Sequence, residues 1–373
     1  MPFFLREENL FHQTCLKSST MNNIFANRFK SARLLNGFSL QDLANALENK
    51  VTRQALHRYE KGEVLPDSEM ISLLSTALHV RPDYFFRDTV VEIGAVEYRK
   101  LKRMPAREEA KIVEQTREYL SRYLELEEIL GLQNKYVNPL EGFEKVFTYD
   151  QVNEAAKQVR KVWDLGNDPI ANVIELLEEK YIKVVKIDAD ITFDGLQTLV
   201  NGNIPVMAYN VRKLEKNDRV RFTLLHELAH LILVFADDVT EKQRETLCHQ
   251  FAGAMLLPDK AIREALGEHR NRLFIPELGN IKKQYGISLQ AVVMRAKACN
   301  IINDHYTRQF FFMMNQMNWK VDAPVEYDGI EESNRFDQLI YRALAEDQIS
   351  MSKAASLKNQ KLAEFRNETL LVQ

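Results

Sequence analysis

His226-Glu227-Leu228-Ala229-His230 sets two imidazoles four residues apart with a carboxylate between them. On a helix, positions i and i+4 lie about 40° apart around the axis, so both rings point one way and can grip one ion. Zinc, a borderline-soft cation, favours neutral imidazole nitrogen. Glu227 stands beside the pair and can serve as general base toward a water on the metal. Peptide hydrolysis needs such a base twice, to generate the nucleophile and to hand a proton to the leaving amine. The bland alternative is a core helix with two satisfied histidines. The flanks speak against it, because Phe222–Phe235 is an apolar helix that would bury its polar face only around a site.

A catalytic zinc takes three protein ligands and keeps one position open. The following helix offers Glu241, Glu245 and His249. Glu245 is the expected third ligand, four residues before His249, which would then support the site from the second layer. Glu241 is the alternative, one turn earlier. Asp237 and Asp238 fall in the turn after His230, Cys248 fits a small buried apolar position better than a thiolate ligand, and His269 lies beyond Pro258 on another helix. Tyr209 and Arg221 come into consideration as stabilisers of an oxyanion, with no pattern that selects either.

Several elements must position this chemistry. Helical segments are expected near Tyr149–Trp163 and Ile170–Glu179, followed by β-rich runs at Ile182–Ile187 and Leu196–Asn210. The second run is interrupted by Asn201-Gly202-Asn203, a hairpin signal. After Asp218 the chain reads as helical to about Ile302, and Phe310–Gln373 reads as a looser helical tail. Ser288–Ala296, and Ile349–Arg366 in the tail, each read as a short helix with capping serines.

The N-terminal part is a chain of short helices. Leu40, Leu43, Ala44 and Leu47 share one face at helical spacing, after the N-cap Ser39. Thr52 caps a second helix carrying Ala55, Leu56 and Tyr59 and ending at Gly62. Between them, Glu48–Val51 lacks glycine, so Asn49 is the expected left-handed residue. Glu92–Leu132 is charge-rich but repeats Ile112, Tyr119, Tyr123, Leu126 and Leu130 at helical intervals, as a helical connector or dimer seam would.

The 373 residues suffice for two or three domains, and a 45% hydrophobic content excludes a wholly disordered chain. The net charge of −3 excludes a polybasic nucleic-acid coat but leaves room for a local basic patch. Residues Ile24–Asp88 carry nine Lys and Arg against eight acids, so any DNA affinity must rest on Arg53, His57, Arg58 and Lys61 and on dimerisation. Three scattered cysteines, Cys15, Cys248 and Cys299, form no disulfide framework. The longest apolar run, Leu231–Ala236, is far short of the ~20 residues of a membrane span. Met1–Thr20 shows neither a signal-peptide pattern nor periodicity, and translation starting at Met21 would account for it. A cytoplasmic protein is expected.

Two stretches resemble known families. Arg219-x-Arg221-Phe222-Thr223-x-x-His226-Glu227-x-x-His230 looks like the signature of the ImmA/IrrE metallopeptidases. Glu245-x-x-Cys248-x-x-Phe251-Ala252-Gly253-Ala254-x-Leu256-x-Pro258 resembles their second block, in which the leading Glu is the third zinc ligand. Ala229 stands where the family usually has Gly, and His249 where it usually has Asn. This resemblance spans about Val146–Asn300. Ser39–Leu47 and Thr52–Gly62 resemble the helix-turn-helix of the Xre/phage-repressor family, most clearly in Thr52-Arg53-Gln54-x-Leu56-x-Arg58-Tyr59-Glu60-x-Gly62. By that match, Thr52, Arg53, Gln54 and Arg58 would face bases in the major groove, and Ser39 and Gln41 would touch phosphate.

The resemblances together imply an α+β, mostly helical protein. A five-helix Xre-type domain (21–88) would follow an extension (1–20) and precede a helical connector (89–142). A zincin-like peptidase domain with a small sheet (143–302) and a helical C-terminal region (303–373) would complete it. The implied function is that of a DNA-binding regulator with a Zn2+ endopeptidase. It would bind operator DNA as a homodimer and cleave a repressor or antitoxin, or itself, to derepress stress, phage or mobile-element genes. The competing expectation is a repressor or antitoxin whose zinc senses or staples without turnover.

Overall fold

The computed structural model of the chain describes residues 22–87, 91–94, 97–99, 104–132, 135–190, 193, 195–319 and 323–369. Met1–Thr20 lies outside them. The chain divides into two compact units, one made of the described residues as far as Glu92 with those of 101–125, the other of 93–100 with all that follows Leu126.

The first unit is helical. Its helices are α1 (22–35), α2 (Leu40–Ala46), α3 (Arg53–Glu60) and α4 (Ser68–Ala77), closed by a 3-10 turn at Pro82–Phe86. Phe25, Phe29 and Phe85 are fully buried, with the Phe25 and Phe85 ring centroids 5.3 Å apart, and Leu43, Leu56 and Leu74 fill the remaining core. Each start has its cap. Ser39 and Asp42 form a reciprocal capping box on α2, Thr52 accepts from the Ala55 N–H on α3, and Asp67 accepts from Met70 on α4. The α2–α3 turn uses two left-handed residues rather than one, Glu48 (φ 55°) and Asn49 (φ 56°). Asn tolerates that conformation through its own side chain, whereas Glu is held there by the packing of α2 on α3.

The expected helical connector is only partly helical. Helix α5 runs Ala106–Ile129, but before it strand β1 (Glu97–Arg99) pairs antiparallel with Gly195–Gln197. A ladder partner some hundred residues away leaves no local periodicity to read. Ile112, Tyr123 and Leu126 are at most 1% exposed within the single chain, so a dimer seam would have to use other residues.

In the second unit, α6 (Tyr149–Val162) and α7 (Val173–Glu179) precede β2 (Lys183–Ile187), β3 (Gly195–Val200) and β4 (Ile204–Asn210). Strand order is β1-β3-β4-β2, with β2 parallel to β4 and the other pairs antiparallel. The β3–β4 hairpin closes through Asn201 and Gly202, both left-handed (φ 50° and 75°), as Asn-Gly favours. Central β4 is buried on both faces, and Met207 and Tyr209 share one apolar core with Val220, Leu224 and Leu228 of α8 (Asn217–Ile232). Helix α9 (Glu241–Leu256) starts at a Thr240–Gln243 capping box. Then follow α10 (Asp259–Leu266), α11 (Ile275–Tyr285), α12 (Leu289–Ala298) and α13 (Asp304–Gln316).

The C-terminal stretch, expected as a looser helical tail, is a set of short helices separated by an irregular segment. Residues 323–334 form neither helix nor strand, and only then come α14 (Arg335–Ala345), α15 (Met351–Leu357) and α16 (Leu362–Glu368). The single helix expected over Ile349–Arg366 is broken at Asn359, which is left-handed (φ 55°). This irregular segment is fastened to α7 and α8. Asn217 donates to Gly329 O (2.7 Å), Asn172 donates to Glu332 O (2.6 Å), and Glu331 accepts the Val173 N–H at 2.8 Å.

Cys248 and Cys299 are 0% and 3% exposed. Burial pushes the Cys299 thiol up to about 11, against the pull of Arg295. Since the thiolate is the reactive form, neither residue is expected to react with iodoacetamide at pH 8 in the folded protein, and both should react in guanidinium. Peptide mapping by mass spectrometry, which separates these two from Cys15, decides it, and a labelled Cys299 in the native chain would contradict this packing.

Candidate metal centre

Helices α8 and α9 pack side by side and bring His226, His230 and Glu245 together, with one donor atom from each inside a 4.8 Å sphere. His226 Nε2 lies 3.1 Å from His230 Nε2 and 3.4 Å from Glu245 Oε2, and His230 Nε2 lies 3.2 Å from Glu245 Oε1. A tetrahedral zinc with metal–donor distances of about 2.0–2.2 Å separates its ligand atoms by about 3.3–3.6 Å. The two imidazole nitrogens stand 3.1 Å apart, and each lies 3.2–3.4 Å from one oxygen of the same carboxylate, separations close to those between ligands of one zinc ion. Two imidazole nitrogens and a carboxylate converging this closely present lone pairs to one another, an arrangement a cation stabilises. The donor set fits zinc.

Burial grades the cluster. His226 is fully buried, the His230 side chain is 18% exposed and that of Glu245 36%, so the open side faces away from the core. Glu227 is 7% exposed on the metal-facing helix. Among the described residues no fourth His, Cys, Asp or Glu joins the group. His249 packs against it instead. Its Nδ1 lies 2.6 Å from the carbonyl of Glu245, and its ring stands 4.3 Å from that of His226 and 5.9 Å from Phe222. Glu241 opens α9 in an exposed position, Cys248 sits in the apolar core, and His269 is exposed beyond α10.

Arg221 and Tyr209 do not point outward toward a substrate. Tyr209 is 3% exposed in the core. Arg221 is wholly buried one turn and a half before His226, where it forms an ion pair with Glu331. It also donates to Tyr327 Oη at 3.0 Å, Ala171 O at 3.2 Å and Ile170 O at 2.5 Å. Burial pushes the Glu331 carboxyl above its ordinary range, while Arg221 and the Val173 N–H hold it down. Sequence reading missed Glu331 altogether. Arg221 on an apolar helix face signalled that an acid must exist, but not which one. A second buried pair, Lys282–Asp218 at 2.8 Å, fixes the first turn of α8 to α11.

In the first unit, Ser39, Gln41, Thr52, Arg53, Gln54 and Arg58 are all exposed. The Ser39 and Thr52 hydroxyls are engaged as caps, Gln41 donates to Asn45 at 3.0 Å, and Arg58 pairs with Glu63 at 3.5 Å. Arg53 and Gln54 occupy the first turn of α3, the end from which a recognition helix reads bases.

Comparison with protein families agrees with both halves. Residues 29–85 match a helix-turn-helix family, and residues 177–297 match the IrrE N-terminal-like domain of the M78 peptidases. No curated protein matches the chain in direct comparison. Among the described residues no helix is long and apolar enough to cross a membrane. The chain carries an Xre-type helix-turn-helix domain followed, toward the C-terminus, by an ImmA/IrrE-like peptidase domain.

Proposed function

We propose that this protein is a cytoplasmic DNA-binding regulator that hydrolyses a peptide bond in a repressor or antitoxin at a zinc held by His226, His230 and Glu245. The observation that carries this reading is the convergence of His226 Nε2, His230 Nε2 and the Glu245 carboxylate at 3.1–3.4 Å, with Glu227 on the helix of the two histidines. Bound there, zinc would supply Lewis-acid polarisation of the peptide carbonyl and a lowered water pKa. Glu227 takes the proton from the attacking water and returns it to the leaving amine. His226 is held rigid by full burial, while the more exposed His230 and Glu245 leave an approach for substrate. His249, anchored on the Glu245 carbonyl, orients the turn of α9 that carries that ligand. A structural staple would need a fourth protein ligand, and the three-donor group favours turnover.

The test is a comparison of cells expressing the wild type or Glu227→Gln, with newly formed protein N-termini identified by mass spectrometry. One or a few termini in a repressor-like protein or in the chain itself should appear with the wild type only. Identical sets would reject the peptidase reading.

For the first unit we propose operator binding as a homodimer, with Arg53, Gln54, Thr52 and Arg58 toward the major groove and Ser39 and Gln41 near phosphate. Gln pairs bidentately with adenine and Arg with guanine, each worth about 1–3 kcal/mol of base discrimination. Arg53→Ala and Gln54→Ala should each relax specificity at one base position, whereas Lys61→Ala should weaken binding uniformly and flatten the salt slope. Binding to a randomised operator pool checks this, and an unchanged base preference in both variants would contradict it.

A further inference from the structure

Beside the metal triad lies a cavity of about 720 Å³, walled by the N-terminal half of α8, the middle of α9, α12 and α13. Phe222, Leu289, Met294, Met314 and Trp319 give it an apolar wall. Its charged lining groups are largely answered from within the fold. Lys282 pairs with Asp218 at 2.8 Å, Lys297 pairs with Asp304 at 2.6 Å, and Arg295 donates to Leu257 O and Asn153 Oδ1 at 3.0 and 2.6 Å. An ionic ligand would have to break these pairs, whereas an apolar group would be received by the remaining wall. Two methionines and a tryptophan suit that role, because thioether side chains repack around different shapes.

The cavity adjoins the metal centre, since Phe222 of its wall precedes His226 by one turn of α8. His249 lines it, and the His249 ring is 4.3 Å from that of His226. An extended peptide advances about 3.3–3.6 Å per residue, so a residue one or two positions from the bond at the metal brings its side chain to the cavity mouth. We propose that this cavity receives a bulky apolar side chain (Leu, Met or Phe) of the protein substrate, from a residue within two positions of the cleaved bond, and thereby selects the bond. The inference rests on the peptidase reading above and adds to it the substrate class.

The zinc-loaded full chain is incubated with a peptide library made by digesting a cell proteome, and the cut bonds are read by mass spectrometry. Leu, Met or Phe is expected at one fixed position beside the cut, enriched about tenfold over background. Met294, 43% exposed on α12, can be enlarged without disturbing the core. Met294→Trp should move the preference toward Ala and Val and lower kcat/KM for Phe-bearing peptides about tenfold, with zinc content unchanged. Cleavage without a side-chain preference, or a preference unaltered by Met294→Trp, would overturn the proposal.

A second measurement separates failure of the cavity from failure of the peptidase reading. The chain has two tryptophans, Trp163 and Trp319, so Trp163→Phe leaves Trp319 in the cavity wall as sole reporter. In a Trp163→Phe, Glu227→Gln protein, a glycine-rich peptide bearing one Phe should shift Trp319 emission, and its all-glycine counterpart should not. A shift together with an inert wild type supports the cavity and rejects hydrolysis. Cleavage by the wild type with no shift rejects the cavity and leaves hydrolysis standing.

Discussion

Replacing Glu227 with Gln is expected to lower kcat/KM for the cleaved protein by about 10²–10⁴-fold, the usual contribution of a positioned general base. Gln keeps the volume and one carbonyl oxygen of the 7% exposed side chain, so the packing of α8 should not change. What it loses is the ability to accept the proton of the attacking water. His226, His230 and Glu245 are untouched, so zinc content should match the wild type, and the operator affinity proposed for the first unit should be unaltered. This combination distinguishes a lost base from a lost fold. Residual activity within about threefold of wild type, measured on the same substrate, would remove Glu227 from the proton-transfer role.

The second large effect is expected far from bulk water, at Arg221 and Glu331. Both side chains are 0% exposed, and each has further partners, carbonyls and Tyr327 for the guanidinium and the Val173 N–H for the carboxylate. Glu331→Ala would strand a buried cation and should cost about 3–5 kcal/mol of unfolding free energy. Arg221→Ala strands the carboxylate and should cost a similar amount. Arg221→Met with Glu331→Leu removes both charges and replaces them with apolar volume, and such replacements are often neutral. The double variant should therefore be far more stable than the sum of the single losses predicts. Urea unfolding followed by circular dichroism gives the values. A Glu331→Ala loss below about 1 kcal/mol would contradict the buried pair. Because Arg221 sits on α8 ahead of His226, the single variants should also weaken zinc retention, and the double variant should restore it.

Much of the site was legible in the sequence because it is local. His226 and His230 lie on one helix, Glu245 begins the second turn of the next, and α8 and α9 are consecutive and antiparallel neighbours in contact. The caps Ser39, Thr52 and Ser288 and the Asn201-Gly202 turn are likewise decided within a few residues, and they set helix starts and a hairpin where the pattern placed them. What escaped is what depends on distant partners. Strand β1 exists because β3 offers it an edge, and its own charge-rich neighbourhood reads as helix. The course of 323–334 follows from distant bonds, Asn217 to Gly329 O, Asn172 to Glu332 O and the Val173 N–H to Glu331. The left-handed Glu48 and Asn359 are similar cases, in which packing overrides a residue's own preference or breaks an otherwise continuous helical pattern. His249 showed the opposite limit. Its spacing from Glu245 was plain, but whether its ring would complete the metal sphere or brace it depended on rotamer, and Nδ1 is directed to the Glu245 carbonyl.

The central claim is a three-ligand zinc site, and metal content tests it most directly. Wild type and Glu245→Ala, purified without chelators, are analysed by inductively coupled plasma mass spectrometry alongside a protein quantitation. About one zinc per chain is expected in the wild type and a large loss in Glu245→Ala, since removing one of three donors opens the sphere. A wild type that carries no zinc and takes up none on titration would contradict the metallopeptidase account as a whole. Full zinc retention in Glu245→Ala would contradict the assignment of Glu245 and require another ligand, with His249 the nearest candidate.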